Sequence, residues 1–397
     1  MQSHVLRRVF LIAVVYISFI SLGLPDGLHG VAWPSMMADF MVPLDYLGLL
    51  LIAGTAGYLI SSFFSGPVIA RLGIGGLLSL SCAVTGAGLA GYAFAPYWWM
   101  IIVLAFTVGL AGGAIDAGLN AYAARNFSKR IMQWLHASYG IGVMLGPLIM
   151  VYFINYRDSW KDGYAAVGIL QLVIGAAFLL TMPLWKDKRK NKNVEIINEK
   201  IRDTITRPSS WVNMLLFFVY AGAEAGLGIW AYTFLTEARG FEQAVSGFIA
   251  GAFWGAYTLG RISAGFYSKF MKTYKLIYLN LAVSFIGVLL VWLNINEALD
   301  YTGIVLNGFA IGPVFPALVS GTEKRVGGQH AFNVVGMQMA ASGLGYAVLP
   351  GLAGIIAKYQ GLEILPAFVA ALIAITAVLY RLAYYYMPGH SFNRQKR

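Results

Sequence analysis

The 397-residue sequence is 59% hydrophobic and 11% charged, with 28 Lys and Arg against 17 Asp and Glu for a net charge of +11, whereas ordinary soluble domains are about a quarter charged. So much apolar surface cannot be hidden in a water-soluble fold, and the apolar residues come in runs of about twenty, long enough to cross ~30 Å of hydrocarbon as a helix. Lipid offers no partners to backbone amides, so the composition excludes a soluble domain and predicts an all-α integral membrane protein.

Twelve spans are expected in chain order. The first, near residues 9 to 32, is too long for a signal-peptide core and has no small-x-small cleavage pattern after it, so it stays in the chain. It carries Gly23-Leu24-Pro25-Asp26-Gly27, where the proline removes a backbone donor and is expected to loosen the helix. Further spans fall near 45 to 69, 74 to 94, 97 to 123, 131 to 155 and 163 to 184. From Pro183 to Pro208 the chain turns polar, beginning Lys186-Asp187-Lys188-Arg189-Lys190. Spans resume near 211 to 236, 244 to 267, 274 to 293, 299 to 320, 329 to 357 and 362 to 387. The expected organisation is a six-helix bundle over 1–184, a central loop over 185–209 and a second six-helix bundle over 210–397.

The basic residues set the orientation. The N-terminus, the central loop, the tail and the loops after the even-numbered spans hold most of them, including Arg7, Arg8, Arg71, Lys129, Lys188, Lys272, Lys324, Arg325 and Arg397. The opposite loops hold Arg157, Lys161, Arg239 and Lys358. By the positive-inside rule both termini and the central loop are cytoplasmic, in a multi-pass protein expected in the cell membrane. The excess charge thus reads as topology, gives no support to nucleic-acid binding, and allows at most a weak contact of the central loop with anionic lipid. The single cysteine, Cys82, reads as a packing residue, and no Cys/His cluster suggests a metal. Neither a metal-binding H-E-x-x-H nor a phosphate loop occurs, and G-x-S-x-G is absent too, which argues against an enzyme.

Several short matches relate the two halves. Gly140, Gly142 and Pro147 recur as Gly343, Gly345 and Pro350 at an offset of 203, and Ile52-Ala53-Gly54 recurs as Ile249-Ala250-Gly251. The first and seventh spans each place an acid before a tryptophan, Asp26 before Trp33 and Glu224 before Trp230. Equivalent positions in two six-helix halves favour parallel repeats with a solute site at their interface.

Four segments carry a resemblance to a known family: Gly112 through Asp116 to Asn120, Gln133 through His136 to Pro147, Tyr220 through Glu224 with Trp230, and Asn307 through Gly312 to Pro316. With them the whole chain resembles the major facilitator superfamily, and in particular its fucose-permease-like branch of sugar:proton symporters. The superfamily signature after the second span survives as Gly66, Arg71 and Gly73, but Ala70 replaces its acid and Ile74-Gly75-Gly76 its basic run. Arg71 therefore reads either as a cytoplasmic gate or as a topology charge. Gly142 to Pro147 resembles the start of a drug-antiporter signature, yet Leu148-Ile149-Met150 follow in place of its glycines, which weighs against drug efflux.

A carboxylate at mid-membrane costs on the order of 3 kcal/mol on insertion scales, so one that persists faces a wet cavity or a partner. Asp26, Asp116 and Glu224 are such acids. Asn120 lies one turn beyond Asp116 on the same face, and Gln133 and His136 share a face near the start of the fifth span. The resemblance implies that Asp116 is linked to protonation, that Gln133 and His136 contact sugar, and that an acid in the first span, here Asp26, joins in proton coupling. His136 departs from the amide expected at its position, so it binds solute, shares a proton with Asp116 or caps a helix contact. His29 reads as facing the headgroups. Glu224, flanked by small residues, is placed to bond a sugar hydroxyl or to bind a cation. Trp230, Trp33, Trp254, Tyr257 and Phe315 can stack on sugar or simply pack, Asn307 and Gln338 are polar candidates for the cavity, and Arg261 is expected to brace the cytoplasmic gate.

The expectation is a monomeric secondary transporter that imports a monosaccharide or similar small polar solute by alternating access. It is coupled to a proton, with sodium the other candidate ion, and needs no cofactor. The rivals are an exporter of an amphipathic compound or lipid on the same fold and a sensor that binds solute without moving it.

Overall fold

In the computed structural model, residues 2–126, 129–185, 201–268 and 270–386 are described; the side chains of some of these, Gln133 and His136 among them, are outside the described set. All regular structure among the described residues is helical. The principal helices are α1 (Gln2–Phe40), α2 (Leu47–Phe94), α3 (Trp98–Asn126), α4 (Lys129–Arg157), α5 (Trp160–Leu180), α6 (Ile201–Ile205), α7 (Pro208–Thr233) and α8 (Gln243–Tyr267). They continue as α9 (Thr273–Leu293), α10 (Glu297–Ile311), α11 (Val314–Ser320), α12 (Thr322–Val326), α13 (Gly328–Gln360) and α14 (Ile364–Tyr385). Eleven segments of the described residues are long and apolar enough to cross a membrane. The remaining expected span, near 244 to 267, is the helix α8, whose apolar run is diluted by Gly247, Gly251, Gly255, Gly260 and Arg261.

Local chemistry sets the ends. Ser159 caps α5 by accepting the Asp162 amide at 3.2 Å, and Asn296 caps α10 by accepting that of Leu299 at 3.0 Å, each satisfying an orphan donor of the first turn. The second and third expected spans run on as α2, broken only at Gly73, whose φ of 70° and ψ of 166° suit glycine alone.

At Pro25 and Pro147 inside helices, and at Pro313 and Pro316 around the junction of α10 and α11, proline withholds a hydrogen bond from the carbonyl four residues back, and a neighbouring helix comes up to each released carbonyl. Pro25 does not loosen α1, as the sequence had suggested; the helix continues through it because the Ser21 carbonyl, deprived of its amide, accepts Gln171 Nε2 of α5 at 3.0 Å. Pro147 releases the Val143 carbonyl, against which Gly27 of α1 packs. Pro313 and Pro316 release those of Phe309 and Gly312 and separate α10 from α11. Gly260 of α8 packs on the first, and Arg261 Nε donates to the second at 3.0 Å.

Two compact units result, one of Met1–Lys190 with Leu235–Trp254, the other of Asn191–Phe234 with Gly255–Arg397. The first half of α8 thus groups with the N-terminal helices, where Gly251 packs against the Met144 carbonyl of α4. In the first unit α2 packs on α3 and α5, and α1 on α4. Its core joins Phe19, Leu78, Cys82, Ile115, Leu119 and Phe178, so Cys82 is a buried packing residue. In the second unit α7 packs on α13 and α14, and α9 on α10. The repeated glycines do the same work twice: a Cβ on Gly142 would overlap the Ile20 carbonyl of α1, and one on Gly345 the Phe218 carbonyl of α7. Large apolar side chains such as Trp99, Ile169, Leu180, Phe266 and Val378 are exposed on the surface, which suits lipid contact.

Candidate functional site

The first unit gathers two carboxylates. The close α1–α4 seam brings Tyr139 beside Asp26, and its hydroxyl donates to Asp26 Oδ2. Asp116 of α3 accepts the Tyr58 hydroxyl of α2 on Oδ2 at 2.6 Å and Asn120 Nδ2 on Oδ1 at 2.8 Å. The expected Asp116–Asn120 pairing at one helical turn is therefore formed. Each acid can hold a proton, or a cation by oxygen ligation, against a tyrosine hydroxyl that turns to suit either state. Gln133 and His136, expected beside Asp116, belong to α4, but their side chains lie outside the described residues. His29 does not face outward; its Nδ1 is 2.8 Å from the buried Tyr164 hydroxyl.

The second unit holds the third acid. The Tyr257 hydroxyl donates to Glu224 Oε1 at 2.7 Å and accepts from Arg261 Nη2. Arg261 Nη2 is 4.0 Å from Glu224 Oε2, and its guanidinium lies 4.3 Å from the centre of the Tyr257 ring and 5.8 Å from that of Phe315. Arg261, expected at a gate, thus belongs to the Glu224 cluster. Arg71 is exposed beside the break in α2, with no ion-pair partner among the described residues.

Five expected solute contacts are buried in this structure. Trp230 is fully buried, its Nε1 donating to the Pro350 carbonyl at 3.0 Å across the α7–α13 seam, so no ring face is open to stack on a sugar. Trp33 is likewise fully buried and tilts against Trp98. Asn307 is fully buried between α9 and α10, donating to Ser284 Oγ at 2.8 Å. Gln338 is fully buried too, accepting the Thr322 hydroxyl at 3.0 Å and donating to Asn213 Oδ1 at 3.3 Å. Trp254, in the first unit, is 5% exposed and meets Phe253 edge-on.

The sequence reading missed the residue that Gln338 serves. Arg325 of α12 is 1% exposed and donates to Asn213 Oδ1 at 2.7 Å, to the Leu318 carbonyl at 2.6 Å and to Thr322 Oγ1 at 3.2 Å. Burial pushes its guanidinium down to about 10, still charged at neutral pH. The legible signal was a pair of amides, Asn213 and Gln338, in apolar runs: buried amides require partners.

Comparison with known proteins places this architecture. The family model described as Major Facilitator Superfamily matches residues 15–337. The chain belongs to the major facilitator superfamily. It is 23% identical to sodium-dependent glucose transporter 1A of Mus musculus over 93% of this chain and 95% of that one. It is 22% identical to the glucose/mannose transporter GlcP of Bacillus subtilis, covering 85% of this chain and 86% of the relative. Among solved structures, a bacterial homologue of the human lysosomal transporter Spinster, inward-facing and unoccupied, superposes with a TM-score of 0.79 over 96% of this chain and 98% of that chain, at 12% identity. The protein is accordingly a multi-pass membrane transporter and not an enzyme.

Proposed function

We infer that the chain is a secondary active transporter that takes up a monosaccharide or similar small polar solute, driven by protons through alternating access. The observation that carries this reading is the pair of sites Asp26–Tyr139 and Tyr58–Asp116–Asn120, two hydrogen-bonded acids inside membrane-spanning helices. Charge at that depth is costly and is retained where ions or protons pass. The printed names of the glucose-transporting relatives support a sugar as solute. In this reading Asp26 and Asp116 carry the proton, while Asn120, Gln133 and His136 contact solute. The working halves are 1–184 and 210–397, joined by 185–209. The protein acts as a monomer in the cell membrane, with both termini cytoplasmic, as the distribution of Lys and Arg supports. A second reading, sodium in place of the proton, is favoured by the sodium-dependent relative and by the oxygen-rich surroundings of the same acids.

Purified protein in liposomes tests this. Glucose accumulation under an inward proton gradient, and not under a sodium gradient alone, is the expected result. Accumulation that requires sodium selects the second reading. Outward movement alone supports export, and saturable binding without flux supports a sensor; either overturns the proposal.

A further inference from the structure

The three membrane acids are not equivalent. Asp26 has no basic partner among the described residues, whereas Glu224 has Arg261. How Arg261 comes to be fixed follows from the sequence. Pro316 has no amide to give the Gly312 carbonyl, so that carbonyl accepts Arg261 Nε at 3.0 Å. The guanidinium carbon then lies over the Tyr257 ring at 4.3 Å and over the Phe315 ring at 5.8 Å. A guanidinium held at Nε by the Gly312 carbonyl and at Nη2 by the Tyr257 hydroxyl is a positioned positive charge, and it stands 4.0 Å from Glu224 Oε2.

The carboxylate is thereby balanced in charge but not in hydrogen bonding. Oε1 receives the Tyr257 hydroxyl at 2.7 Å, while Oε2 is buried and receives no donor. Buried acceptors are normally satisfied, and Glu224 Oε2 differs from the other orphaned oxygens of the described residues in lying beside a paired cation on a membrane acid, where a solute hydroxyl can supply the donor. A neutral hydroxyl fills that vacancy without adding net charge. An anionic sugar acid would bring its carboxylate against that of Glu224, and an amino sugar would bring a second cation to Arg261; both leave a charge uncompensated in low dielectric.

Building on the proposed transport of a small polar solute, we propose that Glu224 is the hydroxyl-accepting solute contact of the second unit and Arg261 its positioning residue. Together they select uncharged polyhydroxylated solutes over sugar acids and amino sugars. Arg261 need not touch solute. It acts by holding Glu224 in place and by cancelling its charge.

The test is calorimetric titration of the purified full chain with glucose, glucuronate and glucosamine, for wild type, Glu224→Gln, Arg261→Gln and the double variant. Wild type should bind glucose most tightly. Glu224→Gln should weaken glucose roughly 10- to 100-fold, the scale of a hydrogen bond to a charged group. It should also raise the affinity for glucuronate relative to glucose, because Arg261 loses its counter-charge. Arg261→Gln should shift the preference towards glucosamine. The double variant, which keeps the site neutral and guards against misfolding of a singly charged site, should lose both shifts. A merely structural pair lowers melting temperature without moving the ranking of the three solutes. Wild-type glucose binding that all three variants leave unchanged in strength and ranking overturns this proposal alone, whereas failure of wild type to bind any of the three overturns the monosaccharide reading with it.

Discussion

Asp26 and Asp116 each take a hydroxyl from a tyrosine on another helix, and Asp116 takes a second donor, Asn120, from its own. Replacing either by asparagine keeps shape and one acceptor but removes the ionisable oxygen. Asp26→Asn and Asp116→Asn should therefore abolish gradient-driven accumulation in proteoliposomes while solute exchange at equilibrium persists. Normal accumulation by both variants would remove them from the coupling path. These acids were legible in the sequence because a charge inside an apolar run is expensive wherever it points. Their partners were not: Tyr58 and Tyr139 look like any of the chain's 23 tyrosines, and only the pairing of distant helices shows which ones meet a carboxylate. Trp230 misled for the complementary reason, since an aromatic in a span reads alike whether it faces a cavity or fills a seam.

At the scale of the element, glycine and proline act jointly. A proline releases a carbonyl, and the neighbouring helix brings up a glycine, as Gly27 does to Val143 and Gly260 to Phe309, or a donor, as with Gln171 and Arg261. Close backbone approach of this kind is how membrane helices associate without a hydrophobic drive between them. Among the tight contacts are the α1–α4 and α7–α13 seams, at Gly142 and Gly345. Gly142→Ala and Gly345→Ala would each force a methyl against a carbonyl. Each should cost about 1 to 3 kcal/mol by overpacking, read as a lower melting temperature in detergent. Gly142→Ala should also impair uptake, because the seam sets Tyr139 against Asp26, although neither side chain is altered. An unchanged melting temperature in both would mean that the seams relax freely. The G-x-G-x4-P repeat made these positions visible in the sequence, but their reason, a facing carbonyl, belongs to the partner helix.

For the molecule as a whole, composition and the run of apolar segments made the class legible, and the superfamily match agrees with it. Less legible was how charge near a helix end is used. Arg325 reads as one of several topology charges beside Lys324, yet it is buried among amide, hydroxyl and carbonyl oxygens of α7, α11, α12 and α13. Removing it takes three hydrogen bonds from a buried network, leaves Asn213 Oδ1 and the Leu318 carbonyl with longer bonds from Gln338 and Thr322 at 3.3 Å, and opens a cavity, at a cost of about 1 to 3 kcal/mol. Arg325→Ala should accordingly lower stability more than loss of any exposed basic residue such as Arg71, as thermal unfolding of the two variants would show. The short α6 is tied in nearby: Thr204 is fully buried, its hydroxyl 3.0 Å from His330 Nδ1 and 3.1 Å from Asn333 Nδ2, while its carbonyl accepts Ser210 Oγ at 2.7 Å. This gives the chain a sharp boundary for genetic splicing. A fluorescent protein inserted ahead of Ile201 leaves every one of those bonds intact, whereas the same cassette between Asp203 and Thr206 pulls Thr204 out and leaves His330 and Asn333 without it. Fusions on either side of this boundary should differ in the yield of folded, fluorescent protein, which makes the stretch just before α6 the place to attach a reporter of transport.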